Sequence, residues 1–188
     1  MKNFVGNCNH IIDWNAIIAS IENQEPAYIG PRHKEGDVKA IGLNEVADVW
    51  NKAGYVPAYN GGNAGWDMFF PGQNFERDVI TKFAEFVGVP GVTNAWIARI
   101  RPGFVAPWHW DVTDDEATLS SKKDTARFHC HIQTPEDSLG HSLILEDEIF
   151  YREQQGAVYK WPHRKSWHGA SNCGIKPFYT FQFWYCYD

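Results

Sequence analysis

The stretch Arg127-Phe128-His129-Cys130-His131-Ile132 alternates between polar and apolar side chains at every position. Successive side chains of a β-strand point to opposite faces, so this alternation predicts a strand with Arg127, His129 and His131 on one face. The apolar face must pack against protein. The polar face either meets solvent, as in an ordinary edge strand, or lines a pocket inside a barrel, where Arg127 would bind an anion through its planar guanidinium.

Similar short runs lie on both sides of this stretch. They are rich in Trp, Phe, Ile, Val and Tyr, and clusters of Gly, Pro and Asp separate them. The spacing predicts about eight strands of a jelly roll or barrel, at residues 94–101, 104–111, 126–133, 142–146, 148–152, 157–161, 166–171 and 177–187. In the last run, Lys176, Phe178, Thr180, Gln182 and Trp184 share the face expected to line a pocket, and the other face is expected to form core against helices.

The N-terminal half has the periodicity of amphipathic helices. Helices are predicted after the capping residues Asp13 and Asn44, and a third is predicted over residues 76–87. The Gly-, Asn- and Pro-rich segment 55–75 is predicted to be a long ordered loop. We therefore expect one domain, 1–188, in which residues 1–91 form a helical support and residues 92–188 form the β core.

The composition limits the location and the partners of the protein. Its 188 residues carry a formal net charge of −6 with scattered Lys and Arg, so we do not expect nucleic acid as a partner. The four cysteines form no CxxC pair, which favours reduced thiols and a cytoplasmic location. No apolar run has the length of a signal peptide or a membrane span, so no membrane association is expected.

The candidate metal ligands are His109, Asp111 and His168. His109 and Asp111 are two residues apart at the end of a predicted strand, so they project from the same face. A histidine from a distant strand would complete the two imidazoles and one carboxylate of non-heme iron(II) oxygenases, which leave the remaining coordination positions open. His163 follows a proline in a basic turn that is typical of a surface, whereas His168 lies in an apolar-flanked strand and can point inward.

These residues resemble the 2-oxoglutarate-dependent iron(II) dioxygenases and, within them, the aspartyl/asparaginyl β-hydroxylase branch. The resemblance covers residues 95–184. It consists of an RPG…PHxD segment, an RxH strand and a G…HxxxN element, which are Arg101-Pro102-Gly103 with Pro107-Trp108-His109-Trp110-Asp111, Arg127-Phe128-His129, and Gly156 with His168 and Asn172. Lys176 is a departure, because the family usually carries an arginine there. Lysine keeps the positive charge but lacks the bidentate fork.

The resemblance implies a mainly β protein with N-terminal helices, built as a double-stranded β-helix (a cupin-like jelly roll) that uses Fe(II), 2-oxoglutarate and O2. In this interpretation Arg127 and His129 bind the near carboxylate of 2-oxoglutarate, and Lys176 with Thr180 binds the far carboxylate in a partly buried pocket. If Lys176 does not bind the far carboxylate, Arg99 or Arg127 is the alternative cation for it. The expected reaction is hydroxylation with release of succinate and CO2.

The substrate is expected to be a free amino acid, a peptide side chain or another small polar metabolite. Trp66, Trp108, Trp110 and Arg164 are the candidate substrate contacts. Two alternatives stay open. One is a cupin-like metalloenzyme that does not use 2-oxoglutarate, with His129 or His131 as a ligand beside His109. The other is a non-catalytic barrel that binds a ligand or partner through its aromatic side chains.

Overall fold

The computed structural model describes residues 2–29, 65–110, 124–162 and 166–187. The predicted second helix, Asp111, His163 and Arg164 lie outside these residues. The elements are β1 (Phe4–Asn7), α1 (Trp14–Ile21), β2 (Tyr28–Ile29), β3 (Asp67–Phe69), α2 (Asp78–Val87), β4 (Asn94–Ile100), β5 (Val105–His109), β6 (Asp124–His131), β7 (His141–Leu145), β8 (Glu148–Phe150), β9 (Ala157–Lys160), β10 (His168–Asn172) and β11 (Phe178–Tyr187). No helix in these ranges is long and apolar enough to cross a membrane.

The strands form two antiparallel sheets. The larger sheet has the order β1-β9-β6-β11-β4-β3-β2, and the smaller has the order β5-β10-β7-β8. Through the described strands β4 to β11 the chain passes repeatedly from one sheet to the other, and among these strands only the hairpin β7–β8 stays within one sheet. This topology is a double-stranded β-helix, so the predicted jelly roll is confirmed.

The eight predicted strands correspond to β4 to β11, and their ends differ by two residues or fewer. The N-terminal part contributes more than helices, because β1, β2 and β3 extend the larger sheet. The prediction that segment 55–75 is entirely a loop is wrong at β3, which pairs with β4. A three-residue strand is too short to show a hydrophobic period, and hydrogen bonds to a neighbouring strand define it.

Both described helices pack on the outer face of the larger sheet. Asp13 caps α1 by accepting a 3.0 Å hydrogen bond from the backbone N–H of Ala16, as predicted. The helix α2 ends at Gly88, whose φ of 72° is the left-handed conformation favoured at this position. The Phe83 ring of α2 lies 4.9 Å from that of Phe181 and contributes to a buried apolar core.

Strands β6 and β11 have the predicted orientation. Phe128, Cys130 and Ile132 belong to the outer core, together with Tyr179, Phe181 and Phe183 of β11. The other face of the larger sheet looks toward the smaller sheet, where His129 contacts Phe150 of β8 at 4.6 Å between ring centroids. Across this inner face the directly paired residues are Arg127 with Trp184, His129 with Gln182, and His131 with Thr180.

Candidate metal and anion site

Two histidines lie side by side on the inner face of the smaller sheet. His109 ends β5 and His168 begins β10, and the two residues are directly paired in the sheet. Their ring centroids are 4.2 Å apart, and they are 3% and 7% exposed. Two imidazoles at this separation can both contribute a nitrogen to one metal ion.

A β-bulge turns His109 toward the interior. His168 pairs with His109 while Ala170 pairs with Ala106, so two residues of β5 oppose the single residue Gly169. A Cβ atom on Gly169 would lie 3.1 Å from the carbonyl oxygen of Ala106, so glycine permits this close approach. Regular alternation would place Trp108 inside with Ala106. The bulge places His109 there instead and leaves Trp108 44% exposed.

Backbone carbonyls fix the orientation of both rings. The Nδ1 atom of His109 lies 2.5 Å from the carbonyl oxygen of Pro107, and Nδ1 of His168 lies 3.1 Å from that of Ser166. A carbonyl oxygen only accepts, so each Nδ1–H donates and the neutral ring carries its lone pair on Nε2. Metal-binding histidines are commonly held in this way by their second nitrogen.

Tryptophan rings pack against both histidines. Trp66 stacks on His109 with 5.5 Å between centroids and an interplanar angle of 10°. Trp161 meets His168 edge to face, with 4.6 Å between centroids and an angle of 72°. These contacts leave the two imidazoles little freedom to rotate.

The third predicted ligand, Asp111, lies outside the described residues. In the described ranges, no three His, Cys, Asp or Glu side chains come together in a group that could hold a metal ion. His109, His129, His131 and His168 are all described. Neither the pair His109 and His168 nor the alternative set with His129 or His131 therefore gains a third ligand from the described residues.

Arg127 is buried on the facing side of the interior. It is 3% exposed, and its guanidinium carbon lies 3.5 Å from the centroid of the Trp161 ring. The rings of Trp184 and Trp96 follow at 5.4 Å and 5.9 Å. A desolvated cation against aromatic faces is stabilised by the ring quadrupoles and keeps its N–H groups at its edge.

His129 and His131 continue the polar face beyond Arg127. Burial lowers the pKa of His129 well below its usual range, and the charges of His131 and Arg127 lower it further. Burial also lowers the pKa of His131 to about 4. Both rings are therefore neutral near pH 7. The Nδ1 atom of His129 accepts a 3.0 Å hydrogen bond from Nε1–H of Trp161.

The predicted burial of Lys176 is wrong. Its side chain is 59% exposed and forms a 2.5 Å ion pair with Asp137, which raises the pKa of Lys176. The strand β11 begins at Phe178, so Lys176 precedes the alternating part of the chain. Thr180, its expected helper, instead lies buried on the inner face opposite His131.

The alternative cation Arg99 is on the wrong face of the larger sheet. Its guanidinium forms a 2.8 Å salt bridge with the buried Asp67, which also accepts a 2.9 Å hydrogen bond from Arg101. Arg99 also lies over the ring of Phe69, a residue of the outer core. Arg99 therefore belongs to the layer under the helices and not to the barrel interior.

Asn172 has a structural role in the G…HxxxN element. It is 1% exposed, and its Nδ2 donates 2.8 Å hydrogen bonds to the carbonyl oxygens of Ile100 and Lys176. Its Oδ1 accepts a 2.9 Å hydrogen bond from the N–H of Gly174. Asn172 therefore ties the end of β10 to β4 and to the turn before β11.

The predicted substrate contacts lie in different places. Trp108 stacks on Trp167 outside the barrel, with 6.3 Å between centroids, whereas Trp110 is 9% exposed and ends a described segment. Sequence reasoning missed Trp161, which touches Arg127, His129 and His168. The alternation of Ala157, Tyr159 and Trp161 along and just beyond β9 is the signal that could have found it, since all three belong to the inner cluster.

Comparisons with known proteins give only distant structural similarity. No protein-family model and no curated protein matches the chain. A Pseudomonas putida prolyl-4-hydroxylase is 11% identical with a TM-score of 0.48, over 92% of this chain and 99% of that one. The viral collagen prolyl hydroxylase of Paramecium bursaria Chlorella virus-1, solved with 2-oxoglutarate, is 17% identical with a TM-score of 0.47, over 77% and 89%.

Other matches are shorter. The cupin domain of Schizosaccharomyces pombe Cnp3 is 14% identical with a TM-score of 0.34, over 50% of this chain and 56% of that one. A Photorhabdus luminescens protein is 15% identical with a TM-score of 0.33, over 48% and 60%. The chain thus spans less than two thirds of the length of these two proteins.

Proposed function

We propose that the protein is an iron(II)- and 2-oxoglutarate-dependent oxygenase that hydroxylates a small polar substrate or an amino-acid side chain. The observation that supports this most is the inward-facing pair His109 and His168, whose rings are 4.2 Å apart and whose Nδ1 atoms are both turned to backbone carbonyls. Arg127 on the facing sheet adds a buried cation to the same interior.

The donor set fits iron(II). His109 and His168 would each bind through Nε2, and Asp111, two residues after His109, is our candidate for the carboxylate. When bound, iron supplies the oxidative decarboxylation of 2-oxoglutarate by O2 to succinate and CO2, coupled to hydroxylation of the substrate. The backbone carbonyls of Pro107 and Ser166 orient both rings through Nδ1, which leaves Nε2 of each as the atom that would bind the metal.

The inner face of the larger sheet fits a carboxylate of 2-oxoglutarate. Arg127 would bind it through the guanidinium edge, because Trp161 covers one face of that group. His129, neutral at pH 7, would add a hydrogen bond, and the hydroxyl of Thr180 lies farther along the same face. We assign the main cation role to Arg127 and not to Lys176, whose side chain is exposed.

The test starts with anaerobic protein and Fe(II). One iron per chain should bind, and added 2-oxoglutarate should produce the visible charge-transfer band of its chelate. Admitting O2 should release succinate, and a screen of amino acids and small polar metabolites should find a substrate that stimulates it. Bound metal without any response to 2-oxoglutarate would favour the cupin-like alternative. Absence of both would favour a ligand-binding barrel.

A further inference from the structure

Trp161 connects the two halves of the proposed site. It is 3% exposed and lies just after β9, and its backbone N–H donates a 2.8 Å hydrogen bond to the carbonyl oxygen of Arg127. Its ring carries the Arg127 guanidinium at 3.5 Å and meets the His168 ring at 4.6 Å. Its Nε1–H donates to Nδ1 of His129 at 3.0 Å. The side chain of Trp161 therefore contacts His168, Arg127 and His129.

The hydrogen bond to His129 has only one possible direction. An indole N–H can donate but cannot accept, so Nδ1 of His129 must be the acceptor. A neutral imidazole that accepts at Nδ1 carries its proton on Nε2. Among the described residues, none accepts a hydrogen bond from Nε2 of His129, although the residue is fully buried. A buried donor without an acceptor is costly, which indicates that a ligand supplies the acceptor.

We propose that Trp161 is a positioning residue that fixes His129 as a hydrogen-bond donor for an anionic ligand beside Arg127. Without the indole N–H, His129 could also adopt the tautomer with a lone pair on Nε2, which would repel a carboxylate. Trp161 thereby favours a ligand that accepts a hydrogen bond at Nε2 of His129 over one that donates, and the neighbouring Arg127 favours a negative charge on that ligand. The nature of this anion, 2-oxoglutarate, rests on the proposed function, whereas the tautomer of His129 does not.

The first experiment measures the tautomer without metal or cosubstrate. Long-range 1H–15N correlation spectra of 15N-histidine-labelled protein should show His129 in the Nε2–H form. Trp161→Phe keeps an aromatic ring but removes the donor, so its His129 should show both tautomers or the Nδ1–H form. Trp14→Phe is the matched control, because Trp14 is also buried, at 1% exposure, but packs in the outer core on Phe181. Its spectrum should keep the Nε2–H form.

The second experiment measures 2-oxoglutarate affinity by anaerobic titration of the iron(II) protein. Trp161→Phe should weaken binding about tenfold, equivalent to ~1.4 kcal/mol, and Trp14→Phe should change it less than about twofold. An Nε2–H tautomer that persists in Trp161→Phe would overturn the proposal, and so would an unchanged affinity. If wild-type protein binds no 2-oxoglutarate, the proposed function fails, and the tautomer spectra alone decide the role of Trp161.

Discussion

The two faces of the larger sheet each bury an arginine, but in different surroundings. On the outer face, Arg99 pairs with the buried carboxylate of Asp67 at 2.8 Å, under the helices. On the inner face, Arg127 lies against the rings of Trp161, Trp184 and Trp96. The outer charge is neutralised within the sheet and serves the fold. The inner guanidinium is covered by the Trp161 ring beside the neutral His129, and we propose that it serves a bound carboxylate.

We infer from this contrast that the outer face of the sheet stabilises the fold and that the inner face binds the ligand. On the outer face, the described residues combine an apolar core with the ion cluster of Asp67, Arg99 and Arg101. The inner face places Arg127, His129 and His131 at every second position of β6, with Thr180 and Gln182 opposite. Substitutions on the outer face should therefore change unfolding, whereas substitutions on the inner face should change ligand binding.

The largest effect is expected from the metal side of the interior. His168→Ala should reduce iron from about one per chain to nearly none and should abolish 2-oxoglutarate turnover, because one of the three proposed ligands is lost. Metal analysis after anaerobic reconstitution measures this directly. His10→Ala, at an exposed histidine, is the control and should retain its iron. Full iron occupancy in His168→Ala would remove this residue from the metal site.

Arg127→Met tests the inner half of the comparison. Removing one partner of a buried ion pair typically costs about 3–5 kcal/mol, so 2-oxoglutarate binding should weaken at least about a hundredfold. Iron content should stay the same, because Arg127 lies on the opposite sheet from His109 and His168. Anaerobic titration measures the affinity. An affinity within about threefold of wild type would show that the inner cation does not bind the cosubstrate.

Arg99→Met tests the outer half. Among the described residues, the substitution leaves the fully buried Asp67 paired with Arg101, which is 40% exposed at its side chain. We expect the free energy of unfolding to fall by about 3 kcal/mol, the lower end for a broken buried pair, with 2-oxoglutarate affinity unchanged. Urea denaturation and the same titration give the two values. Loss of affinity without loss of stability would reverse the assignment of the two faces.

Local alternation was enough to predict the strands β4 to β11 and the two faces of β6 and β11. Alternation predicts these two strands because one face packs against an apolar core and the other lines a polar interior. The polarity of every second residue therefore matches the face on which it lies. The orientation of His109 could not be predicted this way. It depends on the bulge opposite Gly169, which arises only when β5 pairs with the distant β10.

Lys176 shows a second limit of sequence reasoning. The family resemblance predicts a cation near residue 176. It does not predict whether that residue lies before the first residue of the strand or within the strand. Here the carbonyl of Lys176 accepts hydrogen bonds from Nε2 of His141 and Nδ2 of Asn172, and β11 begins two residues later. The backbone at Lys176 is therefore held toward the barrel while the side chain reaches Asp137.

The inner face should also make stability depend on pH. Burial lowers the pKa of His131 from its ordinary 6.5 to about 4, with Lys2 lowering it further and Glu153 raising it. Between these values the unfolded chain binds a proton that the folded chain does not. The free energy of unfolding should therefore fall as the pH falls from about 6.5 to 4, by ~3 kcal/mol from this residue.

Urea denaturation across this pH range, compared with His131→Gln, isolates the contribution of His131. Glutamine stays neutral throughout, so the variant should lose clearly less stability on acidification. His129 and the carboxylates contribute to both proteins and cancel in the comparison. Parallel stability curves for the two proteins would mean that His131 is protonated in the folded state with little penalty.

The smallest effect is expected at Lys176, where the family resemblance and the structure disagree. An exposed lysine paired with Asp137 is screened by water, so Lys176→Ala should change 2-oxoglutarate affinity less than about fivefold. Asp137→Ala is the matched control, because it breaks the same ion pair from the other side. If only the pair matters, the two single variants and the double variant should behave alike. A loss of about a hundredfold in Lys176→Ala, absent in Asp137→Ala, would mean that the lysine turns inward when the cosubstrate binds. A residue from outside the sheet would then help to bind 2-oxoglutarate, and Arg127 would not be its sole cationic partner.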